Sequence, residues 1–84
     1  MTGSSVVRLN RAIALSHVAG AERALEDVDR MADELDRYHL FHSTRAWLLR
    51  QLDRPDEARA ADRRALALTD NPAERTLLRE RIDA

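Results

Sequence analysis

The sequence contains no cysteine. This absence excludes disulfide bonds, thiolate catalysis and cysteine-based zinc sites. Glycine and proline occur only twice each, and tryptophan, tyrosine and phenylalanine once each. Alanine and leucine, which are strong helix formers, dominate the apolar residues instead, while few valine or threonine residues compete with them. Nothing in the sequence shows the alternating pattern of a β-strand, so the composition favours an all-α protein.

The chain also lacks an excess of charge of either sign. Its 14 basic and 15 acidic residues give a net charge of -1, and every basic residue is arginine, which suggests a GC-rich bacterial genome. The two signs are mixed along the chain without a basic stripe, so direct binding of nucleic acid by this chain is not expected. Long apolar runs are absent, and residues 1–5 lack the features of a signal peptide. These absences predict a cytoplasmic protein without a membrane anchor.

The length of 84 residues, with 44% apolar residues, suits one small domain with a modest core. Hydrophobic periodicity predicts about five helices. We expect them at about residues 5–18, 21–35, 39–52, 55–68 and 72–82, which makes residues 5–83 a single domain and leaves residues 1–4 as a disordered start.

The predicted helices differ in pattern. The second is the most clearly amphipathic, while the third is apolar on more than one side and is expected at the centre of the packing. For the fifth helix, we predict Asn71 as the N-cap, Pro72 in the first helical position and Glu74 closing a capping box. Arg75, in the first turn of that helix, is expected to face outward.

An internal repeat is the most informative feature of the sequence. A shift of 34 residues aligns Asn10–Leu15 with Thr44–Leu49 and Ala24 with Ala58, and 34 residues is the period of tetratricopeptide (TPR) repeats. Met31 stands where the first repeat would place a further alanine, so that helix crossing is expected to be wider. Small residues fall where paired helices must approach closely, at Ala12, Ala24, Ala46, Ala58 and Ala65. The sequence therefore predicts antiparallel helical hairpins of TPR type, as two repeats followed by a capping helix.

Five segments carry a resemblance to a known family: Val7–Ala14, Tyr38–His42, Arg45–Arg50, Glu57–Ala61 and Ala65–Arg75. Together they resemble the C-terminal extension of a group of bacterial extracytoplasmic-function sigma factors of RNA polymerase. The resemblance implies promoter-binding core regions before Met1 in a longer protein. It also implies a regulatory role in transcription initiation, with sigma core regions or RNA polymerase as partners. Asp62 departs from the pattern, which usually has an aromatic residue there, so the packing around it is expected to differ.

A binding surface is expected on the first helix of each pair, because these helices line the concave face of a TPR array. Trp47 and Arg50 are of the residue types that dominate binding hot spots. The candidate groove residues are Leu9, Ile13, Ser16, Leu40, Ser43, Trp47 and Arg50. Alternatively, the fifth helix or a second copy of the chain, as a homodimer, fills this groove.

Two arginines occupy equivalent positions in the two repeats, where the TPR pattern has an apolar residue. We interpret Arg11 and Arg45, with Asn10, as structural residues that bond carboxylates or carbonyls between helices. The alternative is that these arginines bind a carboxylate of a partner.

No constellation predicts catalysis or a cofactor. His39 and His42 are one helical turn apart, but a metal site would need a third ligand such as His17 or Asp36, and the spacing matches no zinc pattern. Phosphate-binding glycine loops and catalytic triads are absent. We therefore expect a sigma-factor accessory domain without enzymatic activity, metal or cofactor. A free-standing TPR adaptor and a small metal-dependent enzyme are the alternatives.

Overall fold

A computed structural model describes residues 2–83, with side chains from residue 5 onward. These residues form helices without any strand, which confirms the all-α prediction. The helices are α1 (Thr2–Ala19), α2 (Ala21–Asp29), α3 (Ala32–Leu35), α4 (His39–Gln51), α5 (Pro55–Leu68) and α6 (Pro72–Asp83).

The first helix begins earlier than expected and ends as predicted. Residues 2–4 were expected to be disordered, but they already belong to α1, while Met1 lies outside the described residues. At the other end, the N–H of Gly20 donates to the carbonyl of Ser16 at 3.1 Å. Gly20 has a φ of 95°, a conformation that glycine adopts without the steric cost of a side chain.

The predicted helix over residues 21–35 is two helices, because the chain tightens at Arg30 and Met31. The N–H of Met31 donates to the carbonyl of Val28 at 2.9 Å, three residues back instead of four. Both residues of the junction keep right-handed helical dihedral angles, so the apolar stripe continues across it. The buried members of this stripe are Ala24, Leu25, Val28, Met31 and Leu35.

Packing places α4 at the centre, as predicted. This helix contacts α1, α2 and α5, while α1 also packs on α2 and α5 on α6. Leu48 and Leu49 of α4 are among the most deeply buried large side chains. The small residues expected at close helix approaches are all buried, namely Ala12, Ala24, Ala46, Ala58 and Ala65.

Side-chain hydrogen bonds stabilise the connection from α5 to α6. Oδ1 of Asn71 accepts the N–H of Glu74 at 3.1 Å, so the predicted N-cap is present. The predicted capping box is wrong, however, because Thr69 Oγ1 accepts the N–H of Asn71 at 3.2 Å. The Glu74 carboxylate instead accepts the hydroxyl of Thr69 at 3.0 Å.

Arg75 does not face outward as expected. Its guanidinium donates to the carbonyl of Leu66 at 2.8 Å and to that of Thr69 at 2.9 Å. Carbonyls in the last turn of a helix have no intrahelical partner. Arg75, in the first turn of α6, therefore supplies hydrogen-bond donors to carbonyls at the end of α5. The α5–α6 connection is thereby fixed from both sides.

Candidate functional site

A cavity of about 210 Å³ opens between α1, α4 and α6. We call it the groove. Its lining consists of Asn10, Ile13, Leu40, Ser43, Thr44, Trp47 and Arg81. Four of the residues predicted from the sequence therefore line one surface, namely Ile13, Leu40, Ser43 and Trp47. The lining is apolar and hydroxyl-bearing, with a single cation and no carboxylate.

The groove continues along α6 into a second cavity of about 120 Å³, which shares Leu40, Ser43 and Arg81 with it. The further lining residues of this extension are His39, Glu74, Leu77 and Leu78. Leu77, on the capping helix α6, is 47% exposed. The helix that should cover the array therefore leaves an apolar side chain beside the groove.

Trp47 is held in place by a ring contact from α1. The centroids of its ring and that of His17 are 5.9 Å apart at an interplanar angle of 66°, an edge-to-face geometry that aromatic pairs favour. Trp47 itself is half-buried. Its remaining surface lies on the groove, where an apolar side chain of a partner could pack against it.

Three predicted groove residues do not line the groove. Leu9 is 3% exposed and belongs to the hydrophobic core. The hydroxyl of Ser16 donates to the carbonyl of Ile13 at 2.5 Å, a bond within α1. Arg50 borders a different cavity of about 150 Å³, together with Asp53, Pro55, Arg59 and Arg81.

Arg50 pairs inside the protein with Asp62. Its guanidinium lies 2.5 Å from Oδ2 of Asp62, which is 0% exposed, and donates to the carbonyl of Arg81 at 3.2 Å. The other oxygen of Asp62 has no hydrogen-bond partner among the described residues. Where an aromatic residue was expected, the structure places a buried ion pair. A carboxylate on the alanine-rich inner face of α5 was the sequence signal for it.

The two repeat-related arginines have different surroundings. Nε of Arg45 donates to Oδ1 of Asp29 at 2.6 Å and joins α4 to α2, which is the structural role predicted for it. Arg11 is exposed, so the structure does not give it that role. It borders a cavity of about 410 Å³ between α1 and α2. Asn10 is also exposed and lines the groove.

The three histidines lie in separate surroundings. His17 contacts Trp47, whereas Nε2 of His42 lies 2.6 Å from the carbonyl of Asp36. Nε2 of His39 lies 2.6 Å from a carboxylate oxygen of Glu74, but without the angles of a hydrogen bond. Across the described residues, no group of three histidine, aspartate or glutamate side chains is arranged to hold a metal ion.

None of the helices within residues 2–83 combines the length and apolar character that crossing a bilayer requires.

Comparison with known proteins finds similarity to part of a longer protein. The chain is 44% identical over 80 residues to an uncharacterized protein of Rhizobium meliloti (strain 1021). The match covers 95% of this chain but 19% of that protein, so the chain spans about a fifth of the relative's length. No family model and no solved structure matches the sequence.

Proposed function

We propose that this chain is a TPR-type domain that serves as the C-terminal regulatory domain of an extracytoplasmic-function sigma factor. In this proposal, the domain modulates transcription initiation by binding sigma core regions or RNA polymerase through the groove. The observation that carries the proposal is the position of the groove. It is lined by α1 and α4, the helices that the 34-residue repeat identifies as the first of each pair, and by the capping helix α6.

Packing order supports the TPR-type arrangement. The repeat pairs α1 with α2 and α4 with α5, and each pair is in contact. Helix α4 also contacts both helices of the preceding pair, and α6 packs on α5. This nearest-neighbour order is what a stack of helical hairpins with a final capping helix produces. Short connections between these helices, such as Gly20 alone between α1 and α2, suit antiparallel neighbours.

The length of the relative supports a domain that is attached to a larger protein. Since the matched segment is 19% of the Rhizobium meliloti protein, most of that protein is available for other domains. A sigma factor would need such additional regions to bind promoter DNA, because this chain carries balanced charge and no basic stripe.

The groove suits a protein segment better than a small molecule. It has a volume of only about 210 Å³, and its walls combine an aromatic ring with aliphatic and hydroxyl-bearing side chains. Such a combination is typical of interface hot spots, in which a partner side chain packs against a partly buried aromatic residue. Binding of the sigma core here would restrain its position relative to polymerase, which provides a physical route to regulation.

The proposal is tested on the longer relative. The purified Rhizobium meliloti protein should bind core RNA polymerase from the same organism and direct transcription from defined sites on genomic DNA. Deletion of the segment that matches this chain should change the yield of those transcripts, and replacement of that segment by this chain should restore it. Failure of the intact relative to bind polymerase would contradict the proposal.

A free-standing TPR adaptor that binds a peptide or self-associates is the second candidate. Leu77, exposed beside the groove, favours self-association, because a second copy could cover it. The genomic reading frame upstream of Met1 separates the two candidates. Sigma core regions in frame support the first, whereas a stop codon in frame supports the second.

A further inference from the structure

Arg81 occupies a central position on the surface of the domain. This residue borders the groove, the extension of the groove along α6, and the cavity beside Arg50. The carbonyl of Arg81 accepts a hydrogen bond from Arg50. The guanidinium, in contrast, makes no hydrogen bond or ion pair to any of the described side chains or backbone groups.

The neighbouring charges among the described residues form no ion pair with Arg81. Asp53, which borders the cavity beside Arg50 together with Arg81, is exposed and is not paired with it. Arg50 is neutralised by Asp62 at 2.5 Å, and Arg59 lies 3.0 Å from Asp56. Glu74, in the extension of the groove, is engaged by the hydroxyl of Thr69 and lies against the ring of His39. The groove lining itself has no carboxylate. A half-buried arginine with free donors therefore faces the groove, and a carboxylate is the group that its planar fork binds best.

We propose that the partner segment in the groove carries an aspartate or glutamate, flanked by apolar residues, whose carboxylate pairs with Arg81. The inference rests on the proposed function, since it specifies the chemistry of the segment that the groove binds. Cavities extend on more than one side of Arg81, so a bound segment continues past this residue. For that reason we assign the carboxylate to a side chain within the segment and not to a chain terminus.

A peptide selection tests this inference. Short random peptides, joined to a carrier at both ends so that no terminal carboxylate is free, are selected for binding to the purified chain. Enriched sequences are then synthesised with blocked ends and titrated while the fluorescence of Trp47 is recorded. Trp47 is the only tryptophan and lines the groove, so its signal reports occupancy of that surface. We expect enrichment of acidic residues next to apolar ones.

Substitutions on α6 test whether Arg81 is the residue that binds the carboxylate of the peptide. Arg81→Gln should weaken binding of the acidic peptides by at least about tenfold, since it removes a charge-assisted hydrogen bond to the carboxylate. Arg79→Gln is the matched control, because Arg79 is exposed on the same helix and lines none of these cavities. It should leave affinity unchanged. Arg81→Glu should bind better to peptides in which lysine replaces the acidic residue.

The outcomes separate this inference from the proposed function. Peptides that change Trp47 fluorescence but show no acidic preference, or equal affinity of the Arg81→Gln and Arg79→Gln variants, would overturn the role of Arg81 and leave the groove as a binding surface. If no selected peptide changed Trp47 fluorescence, both the groove and the role of Arg81 would be wrong.

Discussion

The guanidinium of Arg50 on α4 lies 2.5 Å from the carboxylate of Asp62 on α5, and that carboxylate is fully buried. The same arginine donates to the carbonyl of Arg81 at 3.2 Å in the last turn of α6. One side chain therefore connects three helices. Buried ion pairs of this kind often add little net stability, but loss of one partner is costly because the other charge remains buried.

Removal of the arginine alone should destabilise the domain strongly. We expect Arg50→Met to lower the free energy of unfolding by about 3 kcal/mol, since Asp62 would be left buried without its partner. The double variant Arg50→Met/Asp62→Leu should recover most of that loss. Urea unfolding followed by far-ultraviolet circular dichroism measures both values.

An exposed ion pair provides the control for this comparison. Arg64 lies 3.4 Å from Asp36, and both side chains are substantially exposed, so Arg64→Met should change stability by less than about 0.5 kcal/mol. A similar decrease in the free energy of unfolding for the Arg50 and Arg64 variants would show that the buried ion pair matters no more for stability than the exposed one.

Replacement of Asp53 by glycine should stabilise the domain. It follows α4 with a φ of 57°, and the N–H of Arg54 donates to the carbonyl of Leu49 at 2.9 Å, as in a Schellman motif. Because this backbone conformation strains residues that have a β-carbon, Asp53→Gly should raise the free energy of unfolding by about 0.5 kcal/mol. Asp53→Val should lower it. The midpoint of urea unfolding should therefore rank glycine above aspartate and aspartate above valine.

The N-cap of α6 gives a local test of the α5–α6 connection. Asn71→Ala removes the acceptor for the N–H of Glu74 and should cost about 1 kcal/mol, whereas Asn71→Asp should be nearly neutral. Amide hydrogen exchange should show faster exchange in the first turn of α6 for the alanine variant. Equal protection in the alanine and aspartate variants would argue against this cap.

The pKa of Glu57 should lie below the ordinary value for a glutamate side chain. The side chain of Arg54 donates to both oxygens of Glu57, once at 2.8 Å, and this hydrogen bonding lowers the pKa of Glu57 from its ordinary value. A lowered pKa in the folded state means that the stabilising contribution is fully present above the pKa of Glu57 in the unfolded chain and is lost as pH falls through the lower pKa of the folded state.

Carboxyl carbon chemical shifts of Glu57, recorded by NMR as a function of pH, measure that value. We expect Arg54→Gln to raise the pKa of Glu57 and Arg63→Gln to leave it unchanged, since Arg63 is exposed and makes no hydrogen bond to Glu57. A Glu57 titration that did not respond to loss of Arg54 would contradict the pairing.

Much of the fold was predictable because helix boundaries and buried alanines leave local signals. Gly20 and Asn71 each marked a helix boundary through their own backbone or side-chain chemistry. The break after α2 was not predictable, because Arg30 and Met31 both fit a continuous helix. The tightened turn at these residues contains no glycine or proline that would indicate a helix end.

The site was predictable in part, for a similar reason. Helical periodicity and the 34-residue repeat together predicted that Ile13, Leu40 and Trp47 line one surface, but they do not distinguish a groove residue from a core residue such as Leu9. The presence of Arg81 in the groove lining was missed because it depends on where α6 lies relative to α4. Likewise, the inward pairing of Arg50 depends on Asp62, a contact between two helices that no single-helix pattern encodes.

Binding of a partner through the groove on α1, α4 and α6 is tested most directly by substitution of Trp47. The measurement is calorimetric titration of the purified chain with the remainder of the Rhizobium meliloti relative, expressed without its matched segment. Val18→Ala serves as the control, because Val18 is 88% exposed and lies outside the groove. We predict that Trp47→Ala weakens binding by at least about tenfold, as expected for a hot-spot tryptophan, and that Val18→Ala does not. Unchanged affinity of the Trp47→Ala variant would contradict the assignment of the groove as the binding surface.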